Sequence, residues 1–443
     1  MLLRFRGMYR VKGSTPMSTT SSGFTDDPEC RVQFTLPERR TALIVYHTTN
    51  DPGDLVEQHK YRIAINIDGN DVAEVHSGGD MIWLCYGCYG PGYGEGYPLI
   101  RAVSFWVGVL DAGSHAVSGR FASFDDGYTT TISSRSLTIL LFEGDEYAYI
   151  DNSNEVYYEV DDYDFRLFDD SYASVSITPS SDAIALILYS TYNFSGNDSA
   201  SMMIGIMVDD MVRSMSSYDS RYTYSDPGHN FTASAVSVPR GQHTFKGVFK
   251  AMWYFWSRLR INRRLFAVLL LDPSSTVLDV VESGGFAMTY TSSFVLDPFA
   301  RIARYLPDPA HVFIVGHGGN LICGYRLALI DTPGIAYGVS VDGKVESYSR
   351  STMTYLTATL SAPFIYSGYL DRGLHKIYGV FSSNLTGRRA GASHRLFNIL
   401  WFPTGRRPVP VSGIGRDIRR SIYPSVDSGM VSSLFDLVGD LYG

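Results

Sequence analysis

Two short patterns in this sequence have residue types that could support chemistry. Cys85 and Cys88 form a CxxC pair, but no second CxxC or HxxxH pattern follows to complete the four ligands of a zinc site. The run GHGG at 316–319 is similar to loops that stabilise an oxyanion, yet no GxSxG nucleophile motif accompanies it. Phosphate-loop, dinucleotide-binding and HExxH motifs are also absent. We therefore predict that the protein is not an enzyme and that it has no catalytic residue, cofactor or metal.

A glycine-x-histidine pattern occurs three times, and its histidines are His115, His243 and His375. They could bind one metal only if three domains met around a threefold axis. Each of them, however, opens a strand after a turn, where an imidazole can hydrogen-bond to the turn backbone. A little later each copy has an arginine at the start of an apolar run, and these arginines are Arg135, Arg264 and Arg395. We expect structural roles for both sets.

Two further landmarks recur in the same order. An early apolar strand ends at Asn50, Asn193 and Asn320, and an aspartate turn follows at Asp68, Asp209 and Asp342. Four landmarks in one order predict three tandem copies of a single domain. Because most distinctive residues are triplicated, we expect them to serve the architecture. The spacing permits either a pseudo-trimer or an extended row of three units.

The composition favours β-structure. The chain has 31 Tyr, 24 Phe and 42 Gly, and short apolar runs alternate with Gly, Asp, Asn and Pro clusters. We predict an all-β protein with three tandem antiparallel β-sandwich domains, jelly-roll-like, with extended termini. An immunoglobulin-like sandwich is the alternative, although its Cys…Trp…Cys framework is missing. The last strand of each copy, such as 399–402, is apolar almost throughout, which predicts burial on both faces.

The register of the copies gives the domain organisation. We predict an N-terminal arm (1–29), sandwich 1 (30–145), an acidic linker (146–171), sandwich 2 (172–275), a linker (276–300), sandwich 3 (301–404) and a C-terminal arm (405–443). The acidic residues around the first linker could bind a hard cation, but a solvated linker face is the favoured interpretation.

Segments that do not recur are the candidate interaction sites. The aromatic run of sandwich 2 stands where the other copies have polar turns, and it is either a contact tip or buried against the next copy. A Gly/Tyr-rich loop surrounds the CxxC pair. The C-terminal arm is basic and ends in a short amphipathic helix, which docks on a neighbouring subunit or folds back on its own chain. The candidate residues are Trp253, Tyr254, Phe255, Trp256, Tyr86, Tyr89, Tyr93, Arg406, Arg407, Leu434, Phe435 and Leu437.

Charge and hydropathy limit the partners. The net charge of −8 argues against general nucleic-acid binding. No run approaches the ~20 apolar residues of a membrane span, and the N-terminus makes a poor signal peptide. N-x-S/T sequons at Asn193, Asn197, Asn230 and Asn384 mark a surface that could be glycosylated if the protein is exported or carried on a virion.

The glycine-x-histidine corner and the later arginine strand together resemble the last strands of jelly-roll domains in virus and phage spike, fibre and turret proteins. The matching positions are Gly113, His115, Arg135 and Leu137, then Gly241, His243, Arg264 and Phe266, and then Gly373, His375, Arg395 and Phe397. The resemblance covers roughly a quarter of each copy.

The resemblance implies a virion structural protein: a capsid-associated, turret, spike or penton component that is assembled in the host cytoplasm. Its partners would be further copies, other structural subunits and a host receptor or glycan, with no nucleic acid. The alternative is a cell-surface or extracellular glycan-binding adhesin or filament subunit. A carbohydrate-active enzyme on a β-sandwich is a third hypothesis, which would need two facing carboxylates.

Overall fold

Every regular element in the described part of the chain is a β-strand or a turn, which confirms the predicted all-β class. The computed structural model describes residues 1–49, 61–77, 101–154, 156–160, 167–194, 202–218, 227–251, 257–261, 263–284, 287–320, 335–351, 360–383, 390–392 and 394–410. No helix of this described part is long and apolar enough to cross a membrane.

The strands fall into three units with the same order. Unit 1 contains β1 (Arg4–Gly13), β2 (Met17–Thr19), β3 (Thr25–Leu36), β4 (Arg40–Thr49), β5 (Tyr61–Ile67), β6 (Asn70–Ser77), β7 (Arg101–Leu110), β8 (Gly113–Ser123), β9 (Thr130–Ile132) and β10 (Ser134–Glu143). Unit 2 contains β11 (Tyr147–Asn152), β12 (Val156–Val160), β13 (Phe168–Ile177), β14 (Ala183–Phe194), β15 (Met202–Val208), β16 (Met211–Tyr218), β17 (Pro227–Val238), β18 (His243–Ala251), β19 (Ser257–Ile261) and β20 (Arg263–Leu271). Unit 3 contains β21 (Val277–Ser283), β22 (Ala287–Thr289), β23 (Val295–Leu306), β24 (Ala310–Asn320), β25 (Ile335–Val341), β26 (Lys344–Ser351), β27 (Leu360–Leu370), β28 (Gly373–Ser383), β29 (Ala390–Ala392), β30 (His394–Pro403) and β31 (Val409–Pro410).

Eight long strands in each unit form two antiparallel sheets. In unit 1 the first sheet has the order β1-β10-β4-β7 and the second has the order β3-β8-β5-β6. Units 2 and 3 repeat both orders, and unit 3 adds β31 to the outer edge of β23. Two interleaved four-stranded sheets of this order are a jelly roll. The predicted jelly-roll-like sandwiches are therefore confirmed.

The first strand of each unit lies in a segment that the sequence predicts to be an arm or a linker. β1 belongs to the predicted N-terminal arm, while β11 and β21 belong to the predicted linkers, and each pairs with the last long strand of its own unit. These are edge strands that are mostly half-buried, so they lack the strong apolar pattern of a central strand. The acidic segment after unit 1 therefore contains two paired strands, β11 and β12.

The last long strand of each first sheet is buried on both faces, as the apolar runs predict. Along β20, Phe266, Val268 and Leu270 pack inside unit 2, whereas Leu265, Ala267, Leu269 and Leu271 face the other way. In β30, Phe397, Ile399 and Trp401 pack inside unit 3, while Leu400 and Phe402 face outward in the same way. The outward residues of units 2 and 3 join the core of unit 1 in one continuous apolar cluster.

The three units close into a ring around this shared core. At each junction the same pair of elements meets: β6 contacts β17, β16 contacts β27, and β26 contacts β7. Equivalent positions on the last strands, Thr138, Ala267 and Asn398, are all buried. The chain is therefore a covalent pseudo-trimer, and the extended row that the sequence also permits does not form.

Truncating a side chain of the shared core should destabilise all three units together. Leu269→Ala is expected to cost about 2–5 kcal/mol, because a buried leucine leaves a cavity. Unfolding in urea, followed by circular dichroism and tryptophan fluorescence, should shift as one transition. Leu296→Ala is the control, since Leu296 is 57% exposed and such changes stay within about 0.5 kcal/mol. Separate transitions, of which only one moves, would contradict the shared core.

Candidate functional site

Each unit contains a buried arginine–aspartate ion pair joined by a tyrosine hydroxyl. The groups are Arg135–Asp27–Tyr46, Arg264–Asp170–Tyr189 and Arg395–Asp297–Tyr337. The arginine Nε lies 2.7, 2.6 and 2.5 Å from the aspartate Oδ2, and all six charged side chains are fully buried. The tyrosine hydroxyl donates to the same carboxylate at 2.9, 2.7 and 2.7 Å. Burial raises the pKa of each tyrosine, which keeps its hydroxyl a proton donor.

Local backbone geometry places these aspartates. Each follows the start of β3, β13 or β23 at a point where the strand register shifts. There the other aspartate oxygen accepts a hydrogen bond from the backbone N–H two residues later, at 3.0–3.1 Å. A bulge turns a side chain that would otherwise follow the strand alternation. The sequence pattern therefore identifies the arginines but not their aspartate partners.

A recurring glycine makes room for each tyrosine ring. A Cβ atom on Gly119, Gly247 or Gly379 would lie 2.3, 2.7 or 2.6 Å from the nearest tyrosine atom. In units 1 and 2 the tyrosine is on the strand beside the last strand, in β4 and β14. In unit 3 the equivalent position on β24 is Gly316. Tyr337 on β25, in the opposite sheet, supplies the hydroxyl instead. The same hydrogen bond from tyrosine to aspartate therefore forms in all three units, although the tyrosine of unit 3 comes from a different strand.

The recurring histidines join two turns at one end of each unit. His115 Nδ1 lies 2.7 Å from Asp68 Oδ2, and its Nε2 lies 2.8 Å from the carbonyl oxygen of Asp111. The pairs His243–Asp209 and His375–Asp342 repeat this arrangement. The predicted hydrogen bond between histidine and turn backbone is thus confirmed. Both neighbours of each ring are acceptors, so each ring nitrogen that carries a proton can donate to one of them.

The pKa shifts agree with that geometry in unit 2. The hydrogen bond to Asp209 raises the pKa of His243. Burial opposes ionisation of Asp209, but the hydrogen bonds from His243 and from the Thr244 backbone N–H outweigh it and lower its pKa. Asp209 has a φ of 50°, in the left-handed region that aspartate tolerates at turns. These residues hold the turn, and they recur with the fold.

The junctions between units are the places where the polar groups differ. Between units 1 and 2, Glu74 contacts His76 Nε2 at 2.9 Å, Arg62 at 3.2 Å and Arg263 of unit 2 at 3.8 Å. Burial opposes its ionisation, but these three partners lower the pKa of Glu74 to about 2. Arg263 also contacts Asp151 at 3.2 Å, although burial raises the pKa of that carboxyl.

Deeper in the same junction lies a buried basic group. His229 Nε2 is 2.9 Å from Ser190 Oγ and 3.2 Å from the carbonyl oxygen of Val103 in unit 1. Burial and the nearby Arg101 lower the pKa of His229 to about 3 and that of His47 to about 4. Both rings are therefore neutral near pH 7. They fill space between the units without adding charge.

The other two junctions use different contacts. Between units 3 and 1, Glu346 lies 2.7 Å from Lys12 Nζ, and the Arg10 guanidinium lies 4.5 Å from the centre of the Tyr366 ring. Between units 2 and 3, Asn398 accepts a hydrogen bond from the Ala235 backbone N–H at 2.8 Å and donates to the Ala233 carbonyl at 3.2 Å. Within the described ranges, no three His, Cys, Asp or Glu side chains are grouped closely enough to hold a metal ion.

Only two of the predicted interaction residues fall in the described ranges. Arg406 Nε lies 3.1 Å from Asp308, and Arg407 donates to the carbonyl oxygen of Pro273, so both fold back on their own chain. The sequon at Asn230 is also placed, and its side chain is buried in β17, inaccessible to a glycan. The remaining candidates lie outside the described residues: Trp253, Tyr254, Phe255, Trp256, Tyr86, Tyr89, Tyr93, Leu434, Phe435 and Leu437.

No protein-family model and no curated protein matches this chain. Solved structures that match include recombinant N-glycanase F (PNGase F), with a TM-score of 0.31, 10% identity, and coverage of 60% of this chain and 99% of that one. PNGase F from Flavobacterium meningosepticum matches with a TM-score of 0.29, 10% identity, and coverage of 58% and 99%. The tandem CBM51 modules of a family 98 glycoside hydrolase from Streptococcus pneumoniae SP3-BS71 match with a TM-score of 0.15, 10% identity, and coverage of 58% and 100%.

These matches correct the prediction that the protein is not an enzyme. PNGase F is an N-glycanase, so the solved structures similar to this chain include an enzyme. The similarity is too low to assign a reaction, a substrate or a residue role to this chain. The wrong prediction rests on the absence of catalytic motifs. That absence is weak evidence, because catalytic groups that a sandwich brings together need no fixed sequence spacing.

The buried ion pairs should behave as coupled units. Arg264→Leu is expected to cost about 3–5 kcal/mol, because it leaves Asp170 buried and without its cation. Adding Asp170→Asn should recover part of that loss, since the remaining group is then neutral. Urea denaturation of the single and double variants measures both effects, with Arg301→Leu on the exposed face of β23 as the control. Additive losses in the double variant would contradict the coupling.

The His243–Asp209 pair should stabilise the fold over a defined pH range. Because the pKa of His243 is raised from 6.5, its contribution is fully present below pH 6.5 and is lost as pH rises through the folded pKa. Because the pKa of Asp209 is lowered from 3.8, its contribution is lost only at more acidic pH. The difference in unfolding free energy between the native chain and His243→Gln should therefore be largest between these limits. A difference that does not change from pH 5 to pH 9, in urea denaturation, would exclude this charge-based role.

Proposed function

We propose that the chain is a structural protein of a virion, a capsid-associated, turret, spike or penton component. It would assemble with further copies and other structural subunits through its sandwich faces and terminal arms. The observation that carries the proposal is the shared core. It makes three jelly rolls into one block with the symmetry of a trimer.

Physical requirements of a shell support this function. A subunit of a closed assembly must keep its shape while its outer faces form contacts, and jelly rolls serve this purpose in viral capsids. Here the first sheets are buried in the shared core, and the second sheets and the strand edges face outward. The resemblance of the recurring Gly-x-His corner and arginine strand to spike and turret domains points the same way.

Negative-stain electron microscopy of the purified full-length chain tests the proposal. We expect rings, shells or other closed particles, in addition to single blocks. Removing residues 411–443 should abolish these particles while the melting temperature stays nearly unchanged, because 404–410 and β31 are retained. The matched control is Met211→Ser, which alters an exposed side chain of unit 2 that is 57% exposed and far along the chain from the arm.

Two outcomes would overturn the proposal. Chains that stay monomeric at every concentration and release glycans from a glycoprotein would function instead as an N-glycanase does. Chains that form filaments and bind to a glycan array would fit the extracellular adhesin or filament subunit. Glycan release and glycan binding should therefore be measured on the same sample that is imaged.

A further inference from the structure

Large exposed apolar side chains are concentrated in unit 3 and its C-terminal strand. They include Leu296, Phe299, Tyr305, Tyr369, Leu374 and Val409. Scattered exposed apolar residues are normal, but a contiguous group marks an interaction site. Three of these residues are contiguous because they lie on neighbouring strands in matching register.

Leu374, Tyr305 and Val409 form an apolar row across β28, β23 and β31. Tyr305 pairs directly with Leu374 on one side and with Val409 on the other. Directly paired residues point to the same face of a sheet. Leu374 is 48% exposed, Tyr305 is 40% exposed and Val409 is 50% exposed.

The apolar row belongs to unit 3 alone. In unit 1 the matching pair is Thr35 and Ser114, which are polar. In unit 2 the matching residues are Thr178 and Gln242, which adjoin the last paired residues of β13 and β18. A row required by the jelly roll itself would recur in all three units, so this one serves a purpose outside the framework.

Basic side chains adjoin the apolar row on the same face. Lys376 is two residues beyond Leu374 on β28, and Arg301 is four residues before Tyr305 on β23, so strand alternation gives both the orientation of the row. Both are exposed. The surface therefore suits an apolar segment that carries acidic groups.

The C-terminal end of this chain has that composition. Residues 432–442 read SSLFDLVGDLY, with Leu434, Phe435 and Leu437 among two aspartates and no basic residue. The chain reaches the apolar row at Pro410, after Thr404 and Arg406 are tied to Pro309 and Asp308. The 21 residues between Pro410 and Ser432 can extend to about 70 Å, enough to reach an adjacent molecule.

We propose that the apolar row Leu374–Tyr305–Val409 is the docking site for residues 432–442 of a second copy of this chain. The inference rests on the proposed assembly function, since it names the contact through which the arms act. Each chain then offers one row and one segment. Such a head-to-tail contact closes into a ring or continues as a chain, according to the rotation between copies.

A mixing experiment with full-length chains tests the proposal. Leu374→Asp removes the row and leaves the C-terminal segment intact, whereas Phe435→Asp removes the segment and leaves the row intact. In analytical ultracentrifugation each variant alone should be monomeric, and an equimolar mixture should form a heterodimer. Met211→Asp is the control, because it places a charge at an exposed apolar position of unit 2. It should associate as the native chain does.

A labelled peptide of residues 428–443 gives an independent measurement. Its fluorescence anisotropy should show saturable binding to the Phe435→Asp chain. Adding Leu374→Asp to that chain should weaken binding by at least about tenfold, the effect of losing roughly 1.4 kcal/mol. Circular dichroism confirms that the variants are folded.

The outcomes separate this inference from the proposed function. Peptide binding without association of the mixed variants would place the segment on its own chain and overturn the inference. Particles that persist in Leu374→Asp would overturn it as well, while the structural function would stand. Heterodimers from a chain that forms no closed particles would keep the docking site and remove the virion function.

Discussion

Burial of the last long strand of each unit on both faces is the interaction on which the rest of this molecule depends. A single jelly roll needs one apolar face for each sheet, yet β10, β20 and β30 are apolar on both. Burying one more leucine contributes about 1.5–3 kcal/mol, and each last strand presents several such residues. The second face can be covered only by another unit. Two-sided apolar strands therefore lead directly to the closed arrangement of three.

Once the units share a core, their interiors and junctions are under different constraints. Inside each unit the same buried ion pair and the same histidine–aspartate turn recur, because each jelly roll must be completed in the same way. At the junctions the partners differ, from the Glu74–Arg263 contact to the Asn398 hydrogen bonds. Polar contacts of this kind, half-buried at Glu74 and buried at Asn398, fix which surfaces meet, since an incorrect pairing would leave them unsatisfied.

Much of the framework could be predicted from the sequence because it recurs. Arg135, His115 and Asp68 stand out by repetition, and the apolar runs predict the two-sided burial of the last strands. The aspartate partners could not be found, because a bulge rather than a fixed spacing places Asp27 beside Arg135. The apolar row could not be predicted from the sequence either. Its three residues are far apart in sequence, and only the strand register brings Tyr305 between Leu374 and Val409.

The short strand β31 has a consequence for how this protein behaves at high concentration. An uncovered sheet edge can recruit strands from other molecules, and in unit 3 β31 covers the outer edge of β23. The residues around Val409 are Pro408 and Pro410. Proline has no N–H, so neither residue can donate a hydrogen bond to a further strand. The loss of these donors disfavours the pairing of a further strand at the edge beside the proposed docking surface, and with it amyloid-like association there.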